Sequence, residues 1–237
     1  MTLERKFGEP VTGWTPPKAP GPSVLDGQYA RLERLDPARH AANLHAANLA
    51  DDGIWGYLPY GPFAEASAYR AWAESMAPLA DPFFYAIIDK STGKAAGVAS
   101  WLRITPAAGS IEVGHINLSP SIQRTRAATE AMFLMMDWAF AAGYRRYEWK
   151  CDAMNLPSRR AAERLGFSYE GIFRQAAVVK GRNRDTAWFA MIDKEWPALS
   201  AAYQAWLAPA NFGADGRQIR SLADLTRPIL VARDPAL

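Results

Sequence analysis

The sequence contains a single cysteine, Cys151, and three histidines in 237 residues. One thiol cannot form an intrachain disulfide, so the fold has to rest on a packed core, and the scarcity of cysteine fits a reducing compartment. His40 and His45 are five residues apart, which is not the spacing that places two ligands on one helix face. We therefore expect no metal site.

Long apolar runs are also missing. No stretch of 18 apolar residues occurs, so no transmembrane helix is expected, and the first ten residues lack the apolar segment of a signal peptide. The formal net charge is only +3, too small an excess to predict nucleic-acid binding. We expect a cytoplasmic protein without a membrane partner, and nucleic acid is an unlikely ligand.

What the sequence does contain predicts three regions. Residues 1–25 are rich in proline and predict an extended arm, because proline fixes φ and removes a backbone donor. Residues 26–195 predict one domain with two helices, three strands, a helix, a strand, a helix and two strands in that order. Residues 196–237 predict a C-terminal helix followed by a polar tail.

The connection from a predicted strand at 111–118 to an apolar helix at 127–142 carries the clearest chemical signal. A helix N-terminus presents free N–H groups and the positive end of its dipole, which together bind anions. Ala127 and Ala128 are small enough for a ligand to approach the backbone, and Arg124 and Arg126 add positive charge. A plain strand–helix connection with exposed arginines is the alternative.

The same connection resembles the acetyl-coenzyme A loop of the Gcn5-related N-acetyltransferase (GNAT) family, which is written Gln/Arg-x-x-Gly-x-Gly/Ala. Gln123, Arg126 and Ala128 fall on its three fixed positions, with Arg126 where the family usually has glycine. Residues 128–131, 155–159 and 163–167 further resemble the RimJ/RimL-like branch, which acetylates protein N-termini and other amines.

This resemblance implies an α+β fold with a mixed, mostly antiparallel central sheet of about six to seven strands flanked by helices. It implies an N-acetyltransferase that transfers acetyl from acetyl-CoA to a primary amine by direct attack in a ternary complex. The acceptor would be a small-molecule amine or a protein N-terminus, and a homodimer is compatible with the sequence.

The resemblance also implies the residues that contact acetyl-CoA. A backbone N–H near Ile116, Asn117 or Leu118 would bind the thioester oxygen, and Asn155 would bind the pantetheine arm. The family's usual tyrosine acid is replaced by Ala162, and Ser158 is the best substitute, next to the coenzyme. The loop and first helical turn would hold the phosphates through Gln123, Arg124, Thr125, Arg126, Ala127, Ala128 and Thr129.

Glu112 is the candidate general base, because a partly buried carboxylate has a raised pKa. Strand alternation places it on the face of Gly114 and Ile116, with His115 on the opposite face. The alternative is a structural carboxylate paired with an arginine.

The acceptor side is predicted from an aromatic segment and one strand end. The resemblance implies that Trp55, Tyr57 and Tyr60, in the segment between the first two helices, form a wall of the acceptor site. Asp152 ends the strand beside the cleft and is a further candidate acceptor contact.

Two other classes of protein remain open on the sequence. The loss of the tyrosine and the arginine in the loop both favour a non-catalytic acyl-CoA or peptide-binding module on the same scaffold. A ribosome- or RNA-associated protein that uses its arginine clusters is the third interpretation.

Overall fold

A computed structural model describes residues 6–237, so the first five residues of the predicted arm lie outside the described chain. One eight-stranded sheet runs through the molecule in the order β1-β2-β3-β4-β5-β6-β8-β7. The strands are β1 Val24–Asp26, β2 Ala30–Arg34, β3 Phe83–Asp89, β4 Lys94–Thr105, β5 Ser110–Leu118, β6 Arg146–Asp152, β7 Ser168–Val179 and β8 Arg182–Ile192.

Every neighbouring pair in this sheet is antiparallel except β5 and β6, which run parallel. The prediction of a mixed, mostly antiparallel sheet is therefore confirmed, and the sheet is larger than predicted. The six α-helices of residues 6–237 are α1 Pro37–Asn48, α2 Ala66–Met76, α3 Arg126–Ala141, α4 Leu156–Arg164, α5 Trp196–Leu207 and α6 Leu222–Thr226.

The two additional strands, β1 and β2, precede the first helix. Their sequences are short, and β2 alternates apolar and charged side chains over only five residues. β2 pairs with β3, more than 50 positions further along the chain, and β1 pairs only with β2 among the described strands, so the local pattern does not reveal them.

The β7–β8 hairpin is longer than the sequence indicates. The sequence pattern alone predicts the last two strands at 167–174 and 186–192, whereas the two strands extend to meet at Val179 and Arg182. The two intervening residues, Lys180 and Gly181, both have positive φ, as a two-residue hairpin turn with the right-handed twist of its strands requires. The hairpin therefore extends beyond the sheet.

Helices cover both faces of the sheet. Helices α3, α4 and α5 pack on one face in the larger core, where Ile111, Val113 and Trp149 contribute from the strands. Helices α1 and α2 cover part of the other face with a second, aromatic core. Because α1 and α2 lie against the N-terminal strands, the C-terminal strands are partly open on that face.

The sheet opens between β5 and β6, and this opening positions the site. The parallel register pairs Ser110 through Val113 with Arg146 through Trp149 and continues no further within these two described strands. Beyond it, β5 has one extra residue relative to β4, and His115 has φ of 51°. This bulge bends β5 away from β6.

The described part of the N-terminal arm lies along the protein surface. The Trp14 indole donates a hydrogen bond to the Gly143 carbonyl, and the Tyr144 hydroxyl donates to the Lys18 carbonyl. Within the described residues, no helix combines the length and the apolar character needed to cross a membrane.

Candidate functional site

A cavity of about 1080 Å³ lies where β5 and β6 separate, and we call it the splay cavity. Its walls come from the end of β5, the following loop, the first turns of α3 and α4, and the C-terminal segment after α5. From β5 and the loop, the predicted residues on its walls are Ile116, Asn117, Leu118, Gln123, Arg124 and Thr125.

Four more predicted residues, Arg126, Thr129, Asn155 and Ser158, line the same cavity. Ala127 and Ala128 lie in the first turn of α3, each 5% exposed, and are not part of the wall. The structure thus brings ten predicted contacts together from three separate parts of the chain.

The loop before α3 is shaped by local hydrogen bonds. Thr125 caps the helix, with its hydroxyl accepting from the Ala128 N–H at 3.2 Å. The Gln123 side chain donates to the Leu118 carbonyl at 2.9 Å, which ties the loop back to β5. Arg124 adopts a left-handed conformation with φ of 62°. The Arg126 and Ala127 N–H groups of the first helical turn have no hydrogen-bond partner among the described residues.

Four arginines, Arg124, Arg126, Arg160 and Arg164, line this cavity. In the described chain none of them has a carboxylate within ion-pairing distance. Burial lowers the pKa of Arg164, and the positive charge of Arg124 lowers it further. Arg124 and Arg160 are exposed, whereas Arg126 and Arg164 are half-buried. Half-buried guanidinium groups without an acid partner favour an anionic ligand.

Arg126 occupies the position where the resemblance leads us to expect glycine. Its guanidinium lies over the rings of Tyr29, at 4.7 Å, and Phe212, at 4.3 Å. These cation–π contacts hold the side chain towards the C-terminal segment. The substitution therefore does not place a free side chain across the loop.

Sequence reasoning missed the contribution of the C-terminal segment to the splay cavity. Trp206, Phe212, Gln218 and Ser221 line it together with the predicted loop. The Trp206 indole donates to the Gln218 side chain at 2.8 Å, which orders this wall. No local pattern places a segment against a loop 80 or more residues earlier. Arg160 and Arg164 belong to an arginine cluster that the sequence shows, but they were not predicted as part of the coenzyme site, although their four-residue spacing on one helix was a usable signal.

The predicted acid, Ser158, lies beside the separated strand. The Trp149 indole donates to its hydroxyl oxygen at 3.0 Å, so the hydroxyl proton remains available for donation. Asn155 accepts from the Ser158 N–H through its side-chain oxygen and caps α4. Burial raises the pKa of the Cys151 thiol, which makes that residue a poor nucleophile.

Asn117 is almost fully buried at 2% exposure and lines the splay cavity. Neither its side-chain oxygen nor its side-chain nitrogen has a hydrogen-bond partner in the described chain. A buried amide without partners is costly. The cavity is therefore suited to a polar ligand group at this point.

Glu112 is buried between two cations. Arg103 donates to one carboxylate oxygen at 2.6 Å, and the Lys150 ammonium forms an ion pair with the other at 2.8 Å. Burial raises the pKa of Glu112, and the two cations oppose that effect. The carboxylate lies outside the walls of the splay cavity. The pairing that we weighed against a base role is thus present.

The prediction that the His115 ring lies on the sheet face opposite Glu112 was wrong, because the bulge at His115 breaks the strand alternation. Its ring stacks on Tyr60 with centroids 5.7 Å apart and contacts Phe84 at 5.2 Å. Phe84 belongs to the aromatic core under α1 and α2. His115 therefore lies on the same face of the sheet as Glu112.

The aromatic segment between α1 and α2 connects the elements around this face. Trp55 is 3% exposed and belongs to the core, so the structure does not place its ring on a cavity wall. Its carbonyl accepts from Lys180 of the β7–β8 hairpin at 2.9 Å. The Tyr57 hydroxyl donates to the Met154 carbonyl at 3.1 Å, and the Asp152 side chain accepts from the Met154 N–H.

A family model described as "Acetyltransferase (GNAT) domain" matches residues 30–168. The chain resembles a solved GCN5-related N-acetyltransferase from Brucella melitensis with 48% identity and a TM-score of 0.89, over 92% of this chain and all of the other. A solved probable GNAT acetyltransferase from Chromobacterium violaceum is 41% identical, with a TM-score of 0.77 over 82% of this chain and 98% of the other.

A curated relative, "Uncharacterized N-acetyltransferase p20" of Bacillus licheniformis, is 26% identical over 62% of this chain and 84% of its own length. The solved acetyltransferase that modifies the N-terminal serine of ribosomal protein L7/L12 from Salmonella typhimurium is 23% identical, with a TM-score of 0.61 over 71% of this chain and 98% of the other. That likeness concerns the fold alone, and the RimJ/RimL branch stays a prediction.

With its sheet, its splayed strands and its family match over residues 30–168, the chain belongs to the GNAT family of acetyltransferases.

Proposed function

We propose that the protein binds acetyl-CoA in the splay cavity and transfers its acetyl group to a primary amine within a ternary complex. The observation that carries this proposal is the helix N-terminus at the mouth of the separated strands, surrounded by four arginines that have no carboxylate partner in residues 6–237. A pyrophosphate matches both the free amides and the positive charge. The family generally uses acetyl-CoA, and the orphaned Asn117 amide in the same cavity fits a polar coenzyme arm.

The transfer forms a bond between the amine nitrogen and the acetyl carbonyl carbon and breaks the carbon–sulfur bond. The sulfur keeps the bonding electron pair, and the nitrogen loses a proton. Backbone N–H groups at Ile116 to Leu118 would stabilise the developing oxyanion, a contribution of about 3–4 kcal/mol for one donor. Holding both reactants in the cleft lowers the barrier by a further amount of up to about 7–11 kcal/mol.

Ser158 is the proposed acid for the leaving thiolate, because its hydroxyl accepts from Trp149 and keeps its own proton for donation. Glu112 is the proposed base, acting through water, since it lies outside the splay cavity. Its raised pKa supports this role. Its two cationic partners also fit a purely structural role.

Coenzyme binding is tested by thermal unfolding with and without acetyl-CoA. At a concentration 100 times Kd, a ligand specific for the folded state adds about 2.7 kcal/mol of stability. We expect Arg124→Glu and Arg164→Gln to remove most of this gain, whereas Arg70→Gln, on an exposed pair in α2, keeps it. An unchanged melting temperature at millimolar acetyl-CoA would rule out the coenzyme.

The two proton-transfer roles are tested by pH–rate profiles with an accepted amine. A positioned acid or base contributes about 10²- to 10⁴-fold. Glu112→Gln should lower kcat and remove the acidic limb, and Ser158→Ala should lower kcat with little change in KM for acetyl-CoA. A Glu112→Gln enzyme that keeps the acidic limb would leave Glu112 a structural residue.

A non-catalytic acyl-CoA or peptide-binding module is the second candidate, because Ala162, which is fully buried, stands where the family usually has its acid. Thiol release against a broad panel of amines separates the two functions, since a module binds acetyl-CoA without turnover. The acceptor, a protein N-terminus or a small-molecule amine, belongs to the proposal, as do a cytoplasmic location and a homodimer.

A further inference from the structure

We propose that the amine acceptor carries an anionic group, a carboxylate or a phosphate, which is bound by a second, cationic cavity beside the β7–β8 hairpin. This inference rests on the proposed acetyl transfer. The second cavity has a volume of about 1120 Å³, and we call it the hairpin cavity. It lies on the sheet face that α1 and α2 leave partly open.

The lining of the hairpin cavity is strongly positive. Four cationic side chains, Arg103, Lys150, Arg174 and Arg184, face one acidic side chain, Asp185. The Asp185 carboxylate already accepts from the Gln175 N–H at 2.8 Å and from the Asn183 side chain at 2.9 Å. It is therefore engaged in shaping the hairpin.

Within the described part of the chain, two of the four cations have carboxylate partners and two have none. Arg103 and Lys150 share Glu112, and Lys150 also contacts Glu148 at 2.7 Å. Arg174 and Arg184 have no carboxylate within ion-pairing distance among the described residues. Arg184 donates to the neutral Thr186 hydroxyl at 3.2 Å. Two unpaired guanidinium groups thus remain for a ligand anion.

This positive charge reaches the point where the strands separate. Burial, together with the positive charges of Arg103 and Arg184, lowers the pKa of His115 to about 4. His115 is the residue of the β5 bulge. An amine that binds near the bulge while its anionic group contacts the arginines would therefore lie close to the proposed acetyl position.

The same charge also selects the protonation state of the acceptor. Nearby cations disfavour an ammonium group and favour the neutral amine that the attack requires. Polycationic acceptors such as polyamines are repelled by this positive charge. In an acceptor that also carries an anion, the attraction of the arginines for the anion offsets the repulsion of its amine. An aromatic wall, where the rings of Phe173 and Trp188 are 4.4 Å apart, accommodates the apolar part of the acceptor.

The test compares matched acceptors that differ in charge. One pair is 6-aminohexanoate and 6-aminohexanamide, in which the charge is too remote to alter the amine. The other is a pair of peptides with the same first residue, followed by acidic or by basic residues. We expect kcat/KM to favour the anionic member of at least one pair by about tenfold or more, and the favoured pair distinguishes a small molecule from a protein N-terminus.

The variants link this preference to the cavity. Arg174→Gln/Arg184→Gln should bring the ratio close to one while coenzyme-dependent thermal stabilisation persists. Arg182→Gln, on the same strand but outside the cavity lining, should keep the ratio. Equal rates for both members of each pair, or faster rates for the cationic members, would overturn the inference and leave acetyl transfer standing.

Absence of turnover for every amine would count against the proposed function, and binding would then decide the inference separately. The same pairs would be titrated by calorimetry into the protein saturated with coenzyme A. Tighter binding of an anionic member that is lost in the double variant supports the cationic subsite. Equal affinities for the charged and uncharged members contradict it.

Discussion

His115 shows how one backbone irregularity changes the chemistry available to a site. Alternation along β5 predicts that its ring faces away from Glu112, whereas the bulge turns it onto the same face. Its left-handed φ is uncommon for a residue with a side chain. In that position the imidazole is half-buried, and this burial, together with the charges of Arg103 and Arg184, lowers its pKa and keeps it neutral at physiological pH.

The stability of the protein should therefore depend on pH through His115. The pKa is lowered from 6.5 to about 4 in the folded state, so the unfolded chain binds the proton first as the pH falls. The resulting stability is present above pH 6.5 and is lost between pH 6.5 and 4, by up to about 3 kcal/mol.

This loss is measured by denaturant unfolding across that range in the wild type and in His115→Asn. Asparagine tolerates left-handed φ, so the variant removes the titration while keeping the bulge. We expect a flatter profile for the variant between pH 6.5 and 4. Parallel profiles would assign the pH dependence to carboxylates elsewhere.

At the scale of elements, Glu130 in α3 connects the helix to the sheet edge. Its carboxylate, 5% exposed, accepts from the backbone N–H groups of Gln28, Tyr29 and Ala30 at 2.6–2.9 Å. These bonds fix the β1–β2 turn against the helix, and a carboxylate with three donors tolerates burial. Glu130 lies within the segment that resembles RimJ/RimL-like proteins, but its contacts in this structure are structural.

The sequence predicts secondary-structure elements well where neighbouring residues determine them. The apolar helix after the loop is such a local feature, and it appears as expected at Arg126–Ala141. The end of the long hairpin pairs locally across Lys180 and Gly181 and was open to prediction, whereas the β1–β2 pair depends on the distant strand β3, which a window of neighbouring residues does not contain. The bulge at His115 belongs to the same class, because it depends on the register with β4.

The residues of the candidate site also divide into those that the sequence predicts and those that only the tertiary fold brings together. The loop and the α4 start were found because the resemblance covers them, and both line the splay cavity. The C-terminal wall was not found, since its contacts with the loop are set by the tertiary fold. The cationic hairpin cavity was also missed as a unit, although the cluster around Arg174 and Arg184 was visible in the sequence as positive charge.

At the scale of the whole molecule, the C-terminal segment forms one wall of the splay cavity, and a buried ion pair binds this segment to α4. Arg159 of α4 binds both carboxylate oxygens of Asp234, at 2.6 and 2.5 Å, and donates to the Ala153 carbonyl. Arg159 is 5% exposed and Asp234 2%. The preceding residues, from Trp206 to Ala223, supply one wall of the splay cavity.

Breaking the Arg159–Asp234 ion pair should therefore reduce both the stability of the protein and its affinity for the coenzyme. Asp234→Asn leaves the Arg159 guanidinium buried without a charge partner, a loss of about 3–5 kcal/mol for comparable buried pairs. Loosening of the C-terminal wall should also weaken the acetyl-CoA-dependent rise in melting temperature. Chemical denaturation measures the first effect, and a coenzyme titration at a temperature where the variant stays folded measures the second.

The neighbouring pair provides the matched control. Arg233 binds Glu163 at 2.7 Å, but the Arg233 side chain is 55% exposed, so Arg233→Gln should cost no more than about 1 kcal/mol and should leave coenzyme binding unchanged. If Asp234→Asn lowered stability while the titration matched the wild type, the C-terminal segment would support the fold without forming part of the coenzyme site. Reduced affinity in Asp234→Asn alone would show that the cavity depends on a segment outside the residues matched by the family model.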